Sequence, residues 1–168
     1  MRDKYNYNSM PLVLAIAAIG FLLLAVGTAT GSDVWAARGL LPVALFTPIA
    51  LAYLHFIVLV ESPWWMTWAG LVLGGIGSGL FLTGLAGPSA GVLAGAGYAL
   101  IGVAFIVNAD KPTPPGVFFV LGGVLIIINA IILPHAWVAC AGYGFMAFTF
   151  GFGAAASVRQ SLSNEPTT

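Results

Sequence analysis

Apolar residues fill most of the chain, and short polar stretches interrupt them at intervals close to twenty residues. A helix that crosses the hydrocarbon core of a bilayer needs about 20 apolar residues. The pattern therefore predicts an all-α integral membrane protein with six transmembrane helices. The predicted spans are residues 11–30, 40–60, 64–85, 91–107, 116–133 and 136–158.

Glycine, proline and charged residues mark the breaks between these spans, as expected for turns. Little of the chain lies outside them. We expect a cytoplasmic N-terminal segment at 1–10, a transmembrane domain at 11–158 and a disordered cytoplasmic tail at 159–168.

Basic residues predict the orientation. With six spans, Arg2, Lys4, Lys111 and Arg159 share one side, whereas the other side has only Arg38. Cytoplasmic loops carry the excess of positive charge in membrane proteins. Both termini are therefore predicted to be cytoplasmic, in a multi-pass protein of the plasma (inner) membrane.

The two halves of the chain resemble each other weakly. GFLLLAVGTATG in the first half is similar to GYALIGVAFIVNAD in the second, and each precedes two further predicted helices. Two groups of three helices would be inverted relative to each other in a membrane. A 3+3 repeat and a plain similarity of composition both explain the pattern.

Composition excludes several classes of protein. Hydrophobic residues make up 60% of the 168 residues and charged residues 6%, with five basic and five acidic side chains. Because the chain has no basic surface, we do not expect it to bind nucleic acid. The expected partner is the lipid bilayer. No lysine lies within a predicted span, and no Cys/His group has the spacing of a metal site. We expect no enzyme activity, no cofactor and no metal.

Small residues recur every four positions in the third and fourth predicted spans. This spacing lets helix backbones approach closely in lipid. It is compatible with packing inside one chain and with a subunit interface, so a homo-oligomer or a larger membrane complex is expected as an alternative. The positions are Gly70, Gly74 and Ser78 on one ridge, Gly75 and Gly79 on a second, and Gly91 and Gly95 on a third.

The second predicted span has the strongest candidates for function. It contains Pro48, which leaves a backbone carbonyl without its helical partner, followed by Tyr53 and His55, and it ends at Glu61. Ionisable groups within membranes usually face the bundle interior or an aqueous path. An interfacial histidine bonded to a neighbour is the alternative interpretation.

Tyr98 and Asn129 are further polar candidates inside predicted spans. Each could line a solute pathway or form a hydrogen bond between helices.

Three segments resemble a known family. Residues 8–14, Asn-Ser-Met-Pro-Leu-Val-Leu, are similar to the Asn-Pro-Ala-Pro-Leu-Gly-Leu motif of the acetate uptake transporters, a family of six-helix acetate/succinate permeases. Residues 44–46, Ala-Leu-Phe, followed by Glu61, resemble that family's second helix. Residues 141–144, Ala-Gly-Tyr-Gly, resemble its glycine-rich last helix.

The resemblance implies oligomers in which each protomer has its own pore for a small monocarboxylate, with Asn8 and Pro11 near its mouth. The chain departs from the motif at Ser9 and Val13, which replace a proline and a glycine, and it lacks the asparagine expected near the end of helix one.

These observations lead to three hypotheses. The first is a channel or facilitator for a small solute such as acetate, because an apolar pore with a few hydrogen-bonding groups suits weak acids and neutral polar molecules. The second is a non-transporting subunit of a larger membrane complex. The third is a urea or amide channel, whose tryptophan-rich motifs the chain does not reproduce.

Overall fold

The computed structural model describes residues 10–57, 64–107 and 113–163, and the described residues form six α-helices and no strand. The all-α prediction is confirmed. The helices are α1 (Met10–Thr30), α2 (Asp33–Ile57), α3 (Trp64–Thr83), α4 (Gly87–Val107), α5 (Pro114–Ile131) and α6 (Ala136–Ser163).

Three helix boundaries differ from the predicted spans by four residues or more. Helix α2 begins at Asp33 rather than residue 40 and continues through Pro42 and Pro48. Helix α4 begins at Gly87 rather than residue 91, because a proline at position 88 is compatible with a first helical turn. Helix α6 continues to Ser163, five residues beyond the predicted span.

Glycines and a proline pair set the helix ends. Gly31 has φ 65°, and the N–H of Ser32 donates to the carbonyl of Gly27 at 2.9 Å, which closes α1 with a Schellman motif. Helix α5 begins with prolines at its first two positions, and the Thr113 hydroxyl accepts a hydrogen bond from the N–H of Gly116. These are the turn signals that divide the sequence into helices.

Five helices, α1, α2, α4, α5 and α6, have described stretches that are long and apolar enough to span a membrane. Helix α3 has 20 residues and lies antiparallel along α4. Gly70 contacts Gly97 at one end of this pair, and Phe81 lies near Gly91 at the other. The protein is therefore a multi-pass membrane protein, with α3 extending through the same layer as its neighbours.

The helices form a closed ring in chain order, with α6 packed against α1. Contact is extensive between five adjacent pairs and sparse between α2 and α3. We call the end of the ring with the α1–α2, α3–α4 and α5–α6 connections the vestibule end. Trp35 and Trp137 lie there, exposed, whereas Trp64 and Trp65 are exposed at the opposite end, as in the aromatic belts of membrane proteins.

Close backbone approach at glycines holds the adjacent helices together. A Cβ added at Gly77 would lie 2.2 Å from the backbone nitrogen of Ala94, and one at Gly95 would lie 2.4 Å from the carbonyl oxygen of Gly123. Such distances leave no room for a side chain. Gly27 on α1 and Gly122 on α5 make comparable approaches to α2 and α6.

The three predicted small-residue ridges therefore have different surroundings. Gly70 and Gly74 pack against α4, and Gly91 and Gly95 pack against α5. Nothing lies within 4 Å of a Cβ added at Gly75 or Gly79, so this second ridge faces outward.

We predict opposite effects for two neighbouring glycines of α3. Gly77→Ala forces α3 and α4 apart and should lower the free energy of unfolding by about 1–3 kcal/mol, the usual cost of overpacking. Gly75→Ala meets open space and should leave stability unchanged or slightly raised, because alanine has the higher helix propensity. Thermal unfolding in detergent measures both, and equal effects would contradict the packing described.

Candidate functional site

A cavity of about 410 Å³ opens at the vestibule end of the ring. We call it the vestibule. All six helices contribute to its wall, which places it on the ring axis rather than between one helix pair. Its lining residues are Gly27, Thr28, Gly31, Ser32, Asp33, Ala36, Phe81, Pro88, Asn129, Ala130, Pro134, Ala136 and Ala139.

Polar groups of the vestibule come from α1, α2 and α5. Asn129 accepts a hydrogen bond from the N–H of His135 at 3.0 Å, which fixes its amide and leaves its NH₂ group as a donor. The Thr28 hydroxyl donates to the carbonyls of Leu24 and Ala25, so its oxygen can still accept. Asn129 thus braces the α5–α6 connection and also lines the vestibule.

Three hydroxyl groups lie together in the ring interior. We call Ser78, Tyr98 and Tyr143 the hydroxyl cluster. Ser78 and Tyr98 share a buried hydrogen bond of 2.9 Å. The Tyr143 ring lies 6.5 Å from the Tyr98 ring, and the Tyr143 hydroxyl has no hydrogen-bond partner among the described residues.

The hydroxyl cluster lies one helical turn below the wall of the vestibule. Ser78 is three residues from Phe81 on α3, and Tyr143 is four residues from Ala139 on α6. Positions three or four apart share a helix face. From the start of α6, Tyr143 is about 10 Å deep at 1.5 Å per residue.

Stacked aromatic rings fill the ring interior beside the cluster and deeper. We call Phe21, Phe105, Phe119 and Phe150 the aromatic plug. The ring of Phe21 lies 5.7 Å from that of Tyr98 and 5.5 Å from that of Phe150. Phe119 contacts Phe150 at 5.5 Å and Phe105 at 6.2 Å. Each of these phenylalanines is buried, so the axis is closed at this level.

Two more buried hydroxyls lack partners in the half of the ring away from the vestibule. Thr47 of α2 and Thr67 of α3 are almost completely buried, and neither hydroxyl has a hydrogen bond among the described residues. Counted from the vestibule ends of their helices, they are about 21 Å and 24 Å deep. Together with Tyr143, they are the described buried side-chain oxygens without a partner.

Unpartnered buried hydroxyls are uncommon, because each costs about 1–3 kcal/mol if nothing satisfies it. In native structures such groups often bind ordered water or a ligand. The hydroxyl of a helical threonine can donate to the carbonyl one turn earlier, as Thr149 does to Phe145 at 3.0 Å. The Thr47 hydroxyl makes no such bond. The hydrogen-bonding capacity of the Thr47 and Thr67 hydroxyls is therefore unused by the described residues.

The residues predicted from sequence fall into three groups. Tyr98 and Asn129 lie at the hydroxyl cluster and the vestibule, and Pro48 lies in α2 beside Thr47. Pro11 is in the first turn of α1, at the opposite end from the vestibule. Asn8 and Glu61 lie outside the described residues, as do the side chains of Tyr53 and His55 in the last part of α2.

Sequence reasoning treated Ser78 only as a packing residue and did not single out Thr67. The depth of each could be counted from the nearest turn. The sequence does not show which face of each helix points inward, because every helix is apolar on all sides. Within the described residues, no group of His, Cys, Asp and Glu could hold a metal ion.

The fold and the site define an all-α, multi-pass membrane protein with a largely apolar vestibule, lined by a few polar side chains, on the axis of its helix ring. Comparison with protein-family models, curated proteins and solved structures finds no match for the chain.

We predict that the Ser78–Tyr98 hydrogen bond contributes measurably to stability. Hydrogen bonds between membrane helices are worth about 0.6 kcal/mol on average and reach about 1.7 kcal/mol. A double-mutant cycle of Ser78→Ala and Tyr98→Phe, measured by unfolding in SDS, should give a coupling energy in that range. A coupling energy of zero would mean that the two hydroxyls do not bond.

Proposed function

We propose that the protein is a channel or facilitator for a small weak acid or neutral polar solute. The observation that carries the proposal is the alignment of polar groups along the ring. A vestibule lined by all six helices lies about one helical turn above the hydroxyl cluster, and two unpartnered hydroxyls lie deeper. Narrow pores that select by hydrogen bonding use such sparse polar groups between apolar walls.

The aromatic plug is the gate in this proposal. Its rings close the axis next to the hydroxyl cluster, and large side chains that pack by stacking can change rotamer together. A small solute would pass when Phe21 and Phe150 move apart. Conduction through such apolar constrictions depends on whether the opening admits water.

Acetate is one candidate solute, and the resemblance of residues 8–14 to the acetate uptake transporters supports it. A short carboxylic acid or an amide fits a vestibule of about 410 Å³ and would bond to Asn129 and the hydroxyl cluster. We place this protein in the plasma (inner) membrane, with both termini in the cytoplasm, on the distribution of its basic residues.

The second candidate function is that of a non-transporting subunit in a homo-oligomer or larger complex. One observation favours it. Gly75 and Gly79 form an outward ridge with nothing within 4 Å, flanked by the exposed residues Val72 and Ile76. Small residues on a lipid-facing ridge allow another helix to pack closely.

Stopped-flow uptake into proteoliposomes tests the proposed transport. Acetate, acetamide, urea and glycerol are compared with empty liposomes of the same lipid. The expected result is saturable uptake of at least one solute above the background. If all four solutes enter liposomes with folded protein only at the background rate, the non-transporting subunit is the better account.

We predict that truncating the plug increases uptake. Phe21→Ala removes a ring from the axis and should raise the uptake rate several-fold, and Phe21→Leu should raise it less. Phe148→Ala is the matched control, because Phe148 is 55% exposed on the outside of α6. Equal rates for Phe21→Ala, Phe148→Ala and the unaltered protein would rule out a gate at this position.

A further inference from the structure

The buried polar side chains of the described helices are all uncharged. They are Thr47, Thr67, Ser78, Asn129 and Thr149. Moving an ion from water into a protein interior costs several kcal/mol unless an opposite charge or a set of strong hydrogen bonds compensates it. The described part of the ring interior has no charged side chain to compensate a carboxylate or an ammonium group.

The vestibule adds a negative charge and no positive one. Asp33 is the one charged residue in its lining. Arg38, one helical turn deeper on α2, is exposed, and its guanidinium lies over the Trp35 ring at 5.3 Å. The vestibule lining therefore offers an anion no positive side chain, and a cation attracted by Asp33 would find no buried carboxylate in the described interior.

The hydroxyl cluster suits a neutral solute that both accepts and donates hydrogen bonds. A hydroxyl group donates one hydrogen bond and accepts up to two. The Ser78–Tyr98 hydrogen bond of 2.9 Å uses the proton of one of these two hydroxyls, so two donors remain in the cluster. The Tyr143 hydroxyl is the member with no hydrogen-bond partner among the described residues. A carbonyl oxygen can accept from Tyr143, while the N–H or O–H group of the same solute donates to a neighbouring hydroxyl oxygen.

We propose that the axial site selects small uncharged carbonyl compounds, namely amides, urea and undissociated carboxylic acids, over their charged counterparts, and that the Tyr143 hydroxyl binds the carbonyl oxygen. This inference rests on the proposed transport function and names its solute class. Under it, a carboxylic acid crosses in its protonated form and the anion does not.

Isosteric pairs separate charge from size in the test. Acetamide and acetate have nearly the same shape but differ in charge at neutral pH, and urea and guanidinium form a second planar pair. Uptake of all four by proteoliposomes is measured at neutral pH under one set of conditions. We expect acetamide and urea to enter several-fold faster than into empty liposomes, and acetate and guanidinium to enter at the background rate.

The Tyr143→Phe variant tests the binding group, because it keeps the ring and removes the hydroxyl. Loss of one hydrogen bond to the solute should lower acetamide uptake by about tenfold. Thr83→Val is the control, since the Thr83 hydroxyl is exposed and bonds to the carbonyls of Gly79 and Leu80 in its own helix. Its acetamide uptake should match that of the unaltered protein.

Each contrary result has a distinct meaning. Acetate uptake as fast as acetamide uptake overturns the selectivity for neutral solutes and leaves transport standing. Unchanged acetamide uptake by folded Tyr143→Phe overturns the role of Tyr143. Background uptake of all four solutes by folded protein overturns the proposed function together with this inference. The paired solutes are measured on the unaltered protein, so the selectivity is decided even if Tyr143→Phe does not fold.

Discussion

Direct contact between helix backbones is the constraint on which the rest of this structure depends. Where α3 meets α4, and where α4 meets α5, glycines replace side chains, and main-chain atoms of one helix touch those of the next. In lipid, burial of apolar surface gives no net drive for helices to associate, so close van der Waals packing has to supply it. The glycines thus determine which helices are neighbours and how near they lie.

The interior of the ring follows from that packing. Because the glycines lie between adjacent helices, the large side chains are left for the axis, and Phe21, Tyr98, Tyr143 and Phe150 fill it. The aromatic rings contact one another across the ring, from α1 to α4 and from α4 to α6. The same arrangement brings the hydroxyls of Ser78 and Tyr98 within 2.9 Å. The hydroxyl cluster and the aromatic plug are therefore built from the residues that complete the packing.

The sequence predicts the helices well because their limits are chemical. Turn residues such as Gly31 and the prolines at 114 and 115 mark helix ends, and lipid requires an apolar length that is easily counted. The sequence does not predict which face of each helix points inward. A helix surrounded by lipid on one side and protein on the other is apolar all round, so periodicity does not separate Gly74, which packs on α4, from Gly75, which faces outward. The hydrogen bond of Ser78 to Tyr98 and the burial of Thr67 become visible only in three dimensions.

The most direct test of the central claim is whether water-soluble molecules reach the hydroxyl cluster. Ser78→Cys and, as the lipid-facing control, Gly75→Cys are made in a Cys140→Ala background and treated in proteoliposomes with a small, uncharged, water-soluble thiol reagent. An axial path predicts that the thiol at position 78 reacts much faster than the thiol at position 75, and that its modification blocks solute uptake. A thiol at position 78 that reacts no faster than the one at position 75 would contradict an aqueous path along the ring axis.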